Sequence, residues 1–388
     1  MRKLVYLPAV VALVWSLVIS PAAQGGSFED VQGDVQQAGG DAWSAAQDDA
    51  ILVYPGQPGC VSAPDDANAA CVGDEGCPCP CPDGNWNTAA GWFNRILGPA
   101  CPRVIGQYDA LMLWQGNSAS RPLLNYGTLG PTAIDANDAG TPMSTGMRFG
   151  LLVNLDNCYA VEGNYLNVGT FNGNVLIGQG TYTPIGLPSN FDPIVPGTAE
   201  LLTDGRIQSA ELNWRRRECW CPVTWLAGFR WVQWNQGLVL ASTAPNLSAQ
   251  NQVSTVTGND LYGGQVGMDV GLWNSGNWFT LNGIGKAGVF YNNAYQRTGG
   301  ILENGTPWGP LGNDTARTAF FGELGLNATL AVTEWLAWRV GYSLFWLGGV
   351  AVPANQLNLV DPSISAAGIN TSGSVFLHGV STGIETRW

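Results

Sequence analysis

The chemistry open to this chain is set first by what it lacks. Among its 388 residues there is one histidine, His378. Activating a serine, a cysteine or a water as nucleophile calls for a base such as histidine. His378 lies in the closing stretch FLHGVSTGIETRW, where it shares alternate positions with Phe376, Val380, Ile384 and Trp388. In a strand that set faces one side, so His378 reads as a polar tip on an apolar face. The glycine-rich runs follow an alternating strand pattern and lack the strand-loop-helix setting of a phosphate loop. No enzyme, cofactor or metal is expected.

The nine cysteines are the second reactive set. Six lie close together: Cys60, Cys71, Cys77, Cys79, Cys81 and Cys101. In an exported chain an even set reads as disulfides of unknown connectivity. A metal site is the alternative, but C-P-C-P-C is not zinc spacing, and alternating prolines stiffen the chain against wrapping one ion. Cys158, Cys219 and Cys221 would form one further pair and one odd thiol.

The third set is a series of polar groups of mixed sign: Asp109, Arg148, Glu162, Glu211, Asn213, Arg215, Arg230, Gln265, Lys286, Glu323, Arg339, Glu385 and Arg387. Each falls on the polar parity of an alternating segment. TAFFGELGLNATL puts Phe320, Leu324, Leu326, Ala328 and Leu330 on one side, and Phe321, Glu323, Asn327 and Thr329 on the other. EWLAWRVGYSLFW sets Leu336, Trp338, Val340, Tyr342 and Trp346 against Ala337, Arg339 and Ser343. A period of two predicts strands with one apolar face.

The connections predict how the strands are joined. Long polar segments fall near 116–144, 169–206, 236–257, 291–316 and 348–372, and short ones near 155–156, 218–222, 271–276 and 332–333. Strict alternation of long and short is the habit of an antiparallel up-and-down transmembrane β-barrel, here of about 10 strands of roughly 10 to 15 residues. A hairpin within 169–206 would make it 12. Trp225, Trp278, Trp335 and Trp388, with Trp220 and Trp273, fall near the short-turn end, and Trp114, Trp234 and Trp346 near the other. Indole suits a boundary apolar on one side and wet on the other, so these read as two aromatic girdles. A soluble sandwich would instead spread its tryptophans through a core.

Composition agrees. Only 12% of residues are charged, about half the usual share for a soluble domain, so the chain lacks polar surface that a soluble body needs. Residues 1–24 combine a basic start, an apolar run and small residues near Ala22, the pattern of a secretory signal. Residues 25–103 form an acidic, Cys-rich, irregular and partly disordered segment, with eleven Asp and Glu and no Lys or Arg between Gly25 and Asn94. Residues 104–388 are the barrel. Nothing basic enough to suit nucleic acid is present. The expected location is the bacterial outer membrane, with the N-terminal segment periplasmic. The expected partners are outer-membrane lipid and, through the terminal aromatic Trp388, the assembly machinery of that membrane.

Several segments, QYDALMLWQGNSASRPLL, STGMRFGLLVNLDNCYAVEGNYLNVG, SAELNWRRR, WLAGFRW, GNDLYGGQVG and GKAGVF, resemble in their order the β-barrel porin-7 family of bacterial outer-membrane proteins. They span most of 104–388 and exclude the cysteine-rich preface. The resemblance implies a pore for small polar solutes but supplies no substrate. About ten strands lie between a filled interior and an open channel, so the polar parity lines either a narrow path or a plug of internal ion pairs. A structural or surface-binding barrel without conductance is the alternative expectation.

Overall fold

In the computed structural model the described residues are 104–388 apart from 117–119, 141, 156–158, 194–195, 218–221, 245–249, 276–277 and 334. The expectations for the signal, the acidic preface and all nine cysteines, and for Trp220, fall outside them. Ten antiparallel strands close into a barrel: β1 (Val104–Gln115), β2 (Met143–Asn154), β3 (Tyr159–Gly180), β4 (Gly197–Arg217), β5 (Val223–Thr243), β6 (Gln250–Asn274), β7 (Phe279–Ile301), β8 (Pro307–Ala331), β9 (Leu336–Val350) and β10 (Gly373–Arg387). Each strand pairs with its neighbours in sequence, and β10 closes on β1 with Ile105 opposite Arg387 and Gln115 opposite Leu377. At the seam, the Val104 and Trp388 backbones exchange hydrogen bonds of 3.0 and 2.9 Å.

The alternating pattern decides which side chains face out. Tyr108, Phe149, Leu212, Phe229, Val266, Val289, Leu324, Leu326 and Ile384 are all exposed on the outer face. Alternate residues on the same strands are buried: Leu111, Arg230, Glu323 and Ser381. An apolar exterior around a polar or packed interior is the inside-out arrangement of a membrane barrel. Trp225, Trp278, Trp335 and Trp388 are exposed at the short-turn end, joined there by Trp214 and Trp273. Towards the other end Trp346 is exposed, Trp114 is half-buried, and Trp231, Tyr262 and Tyr291 stand directly opposite one another on β5, β6 and β7. Immediately beyond that row the outward residues turn polar, and Gln233 donates to Asp260 at 2.9 Å. The strand between Trp335 and Trp346, at about 3.3 Å per residue and a tilt of ~40°, rises ~28 Å, which matches a hydrocarbon band.

Three expectations need correction. The strands run from 12 to 25 residues, longer than 10 to 15, because β3 to β8 continue well past the upper aromatic row. The stretches 236–257 and 291–316 are therefore mostly strand, with connections of only 244–249 and 302–306. Among the described residues of 169–206 no extra barrel hairpin occurs. Tyr182–Pro184 pairs with Pro122–Tyr126, which also pairs with Thr132–Asp135, in a separate small sheet. The barrel has ten strands and not twelve. Trp234 is no girdle residue: it lies on the inward parity of β5 and is fully buried, its ring 6.1 Å from that of Phe171.

Beyond the aromatic row the tall strands form a curved wall. Against its inner face pack Leu123, Leu124 and Ile134 of the small sheet, meeting Leu201, Leu240 and Val253. The connection 351–372 is tied into the same space. Asn259 holds both backbone groups of Ala351, accepting from its N–H at 2.7 Å and donating to its carbonyl at 2.9 Å. Gln356 does the same for Asn370. The second pair braces the connection internally, while Asn259 on β6 and Gln296 on β7, which donates to the Gly368 carbonyl at 3.1 Å, fasten it to the wall.

Candidate functional site

The interior of the barrel near the short-turn end is a continuous net of charges, and the strand register builds it. Glu211 on β4 is directly opposite Arg230 on β5, and Lys286 on β7 directly opposite Glu323 on β8. All four point inward. Arg230 lies 2.6 Å from Glu323 and 3.5 Å from Glu211, and donates from Nε to the Ser209 hydroxyl at 2.8 Å. Its guanidinium also rests over the ring of Phe321, 4.1 Å from the centroid, a favourable placement for a cation. Lys286 reaches Glu211 at 2.5 Å, and Gln265 bridges Glu211 and Asn213 at 2.6 and 2.7 Å. Glu211 thus has Lys286, Arg230, Gln265 and Asn164 about one carboxylate.

Two flanking groups extend the net. Arg215 spans Glu162 at 3.1 Å and Asp269 at 2.6 Å. Arg148 lies between Glu323 at 3.7 Å and Asp109 at 3.8 Å, and donates to Ser343. Arg339 approaches Asp109 at 3.8 Å and Glu385 at 3.3 Å, and Arg387 completes the chain at 2.8 Å from Glu385. The lumen-facing residues named from sequence are thereby all placed on the interior side, Asn213 and Gln265 as neutral links. Asp269 went unnamed, although it shares the inward parity of Gln265 and supplies the shortest ion pair of Arg215.

This net holds six carboxylates (Asp109, Glu162, Glu211, Asp269, Glu323, Glu385) and six cations (Arg148, Arg215, Arg230, Lys286, Arg339, Arg387). It is neutral as a whole. A cavity of about 110 Å³ remains among these side chains. Above the net the interior turns apolar. Trp234, Phe171, Phe290, Phe321, Phe345 and Leu113, with their neighbours, form one buried cluster across the barrel. The Phe321 ring lies 6.2 Å from both Phe290, edge-on, and Phe345, tilted. Val350 and Val352, where the connection 351–372 begins, belong to the same cluster. A small barrel is filled by its own side chains, and here the filling has a charged layer and an apolar layer in series.

His378 sits outside, on the upper aromatic row. Its Nδ1 is 2.9 Å from the Tyr342 hydroxyl, and its ring lies 6.1 Å from Trp114 and 5.7 Å from Phe376. No group of three or more His, Cys, Asp or Glu side chains suited to a metal occurs among the described residues.

No protein-family model matches the chain, so the porin-7 resemblance has no such match behind it. No curated protein matches it either. Solved structures do. The outer membrane protease OmpT of Escherichia coli is 8% identical at a TM-score of 0.39, covering 74% of this chain and 96% of that one. Neisserial surface protein A is 12% identical at 0.22, covering 74% and 97%. The Pseudomonas putida toluene transporter TodX is 8% identical at 0.25, covering 78% and 92%. Likeness at this level carries no statement of role.

Proposed function

We propose that this chain is an outer-membrane barrel whose membrane part is a closed scaffold and whose projecting lobe is the working surface, a binding or structural role without significant conductance. The observation that carries this reading is the apolar layer around Trp234, Phe171 and Phe345, stacked on the neutral ion-pair net. A hydrated ion crossing that layer would lose its water against aromatic and aliphatic side chains, and the buried amides beside them, Asn259 and Asn292, are already engaged with the backbone of Ala351 and Gly349. The lobe supports the same reading. Its small sheet and the connection 351–372 are packed against the wall, which gives the outer end a fixed relief, and Leu129 and Ile364 are left exposed on it. In this reading the short turns face the periplasm, and His378 serves the headgroup boundary and no catalytic step.

Planar-bilayer recording of the purified full chain tests it. Silence at all voltages is expected; steady unitary currents would overturn the closed scaffold. One observation favours the second reading, a narrow pore for small polar solutes: the polar cavity inside the charged net. Under that reading the apolar layer would have to part.

A further inference from the structure

The lipid-facing wall carries a cleft of about 510 Å³ across β10, β1, β2 and β3. The register shows how it arises. One row of directly opposed outward residues is Ile384, Tyr108, Phe149 and Tyr165, three of them aromatic, with the rings of Tyr108 and Phe149 4.9 Å apart. The adjacent row towards the short-turn end is Thr386, Gly106, Leu151 and Gly163, where two of four side chains are missing. The next row brings in Trp388, bonded through its backbone to Val104. The cleft is therefore a trough between an aromatic ledge and a tryptophan; the Trp388 ring leans over Gly106, where a Cβ would meet it at 3.1 Å, so the bare part of the floor is at Gly163. Above Gly163 the space is open: a Cβ built there would meet nothing nearer than the Glu211 carbonyl oxygen at 4.0 Å.

This trough lies inside the hydrocarbon band, so the material that abuts it is lipid tail. A void there forfeits dispersion contacts along its whole lining. Between protein and lipid, such packing is what distinguishes one site from another, because exchange of apolar surfaces supplies no hydrophobic gain. Three spacings between four strands at about 4.8 Å make the trough ~14 Å long, room for a long run of methylenes. We infer that the trough is a binding site for one acyl chain of a bilayer phospholipid, held in the leaflet on the short-turn side more firmly than the lipid around the rest of the barrel. The inference depends on the lipid-facing wall alone and stands whether or not the lumen conducts.

The test uses the full chain in phosphatidylethanolamine–phosphatidylglycerol vesicles containing a phosphatidylethanolamine with a mid-chain diazirine. After irradiation, cross-links are mapped by mass spectrometry. Labelling at Tyr108, Phe149, Leu151 and Tyr165 is expected several-fold above that at Val289, Phe320 and Leu324, which are also exposed but sit on β7 and β8. Gly163→Leu fills the floor and should bring the two walls level. If that variant does not fold, Thr386→Phe fills the trough from its rim and serves in its place. Equal labelling of both walls in the unaltered protein would mean annular lipid only. An excess that persists in a folded, filled variant would equally overturn the site.

Discussion

The guanidinium of Arg230 on β5 meets the carboxylate of Glu323 on β8 at 2.6 Å, with two whole strands of the wall between them. The pair does not run along the wall; it crosses the interior. Both side chains are almost fully buried. Removing one partner leaves the other charge stranded, whereas replacing both with apolar groups removes the problem with its cause. Arg230→Met should cost about 3–5 kcal/mol, and Arg230→Met with Glu323→Leu should recover a large part of it. Urea unfolding in detergent micelles, run as a double-mutant cycle, measures the coupling; additive losses would show that the pair is not a unit.

The apolar layer should be the resistance of the lumen. Substituting Trp234, Phe321 and Phe345 together by Ala removes three rings from one cluster. Each Phe or Trp to Ala change in a packed core costs about 3–5 kcal/mol, so the triple variant should be examined at low temperature. The expected result is a current in planar bilayers where the unaltered protein gives none. A silent, folded triple variant would place the barrier elsewhere.

Leu326 and Asn327 are adjacent in sequence and opposite in outlook, Leu326 exposed on the lipid side and Asn327 lining the interior cavity. Leu326→Arg should cost about 2–4 kcal/mol near the midplane. Asn327→Arg should be tolerated, since the cavity it faces is polar and holds carboxylates. Folding yields into micelles, read from gel mobility with and without boiling, compare the two. Equal losses would contradict the register.

On the projecting lobe, Arg297 and Asp314 form a bidentate pair at 2.7 and 3.3 Å on the outward face of β7 and β8. The hydrogen bonds from Arg297 hold the Asp314 carboxyl below its ordinary range. A carboxylate whose folded pKa is depressed adds stability above its unfolded value and loses it as pH falls through the folded value. The pair is exposed, so the effect on global stability is small. The local effect is the measurable one: the Asp314 carboxyl should titrate lower in the unaltered protein than in Arg297→Gln, by carbon-detected NMR. Identical titration would mean that the pair does not persist in solution.

Much of the barrel was legible because period two records burial directly. Glu323 and Leu324 differ by one position and by the whole thickness of the wall, and the sequence alternates accordingly. What stayed hidden lies beyond the aromatic row, where the contrast fades. Asn292, Gln296 and Thr298 of β7 are fully buried but polar, because Asn292 meets the Gly349 carbonyl at the end of β9, Gln296 meets the Gly368 carbonyl of the connection, and Thr298 bonds to Thr255 and Gln296. Their outward neighbours Asn293 and Arg297 are polar because they meet water. A strand polar on both faces reads as a loop. Trp234 differs for another reason: its position along the strand suits a girdle, but its parity is opposite to that of Trp225 and Trp231. Asp269 shows the limit of the charged interior. Its parity was plain, but the meeting with Arg215 depends on a strand two places away.

The closing seam has a consequence in time. Gly106 and Thr386, hydrogen-bonded across it, are 280 positions apart in the chain, while every other junction in the wall joins consecutive strands. Contacts between distant segments are slow to form, because the intervening chain must first be ordered. Until β10 reaches β1, the nascent sheet presents two raw edges able to recruit any extended polypeptide. The interval before closure is therefore when the chain is most exposed to misassembly, and a substitution that weakens only the seam would lengthen that interval while leaving nine of ten junctions intact.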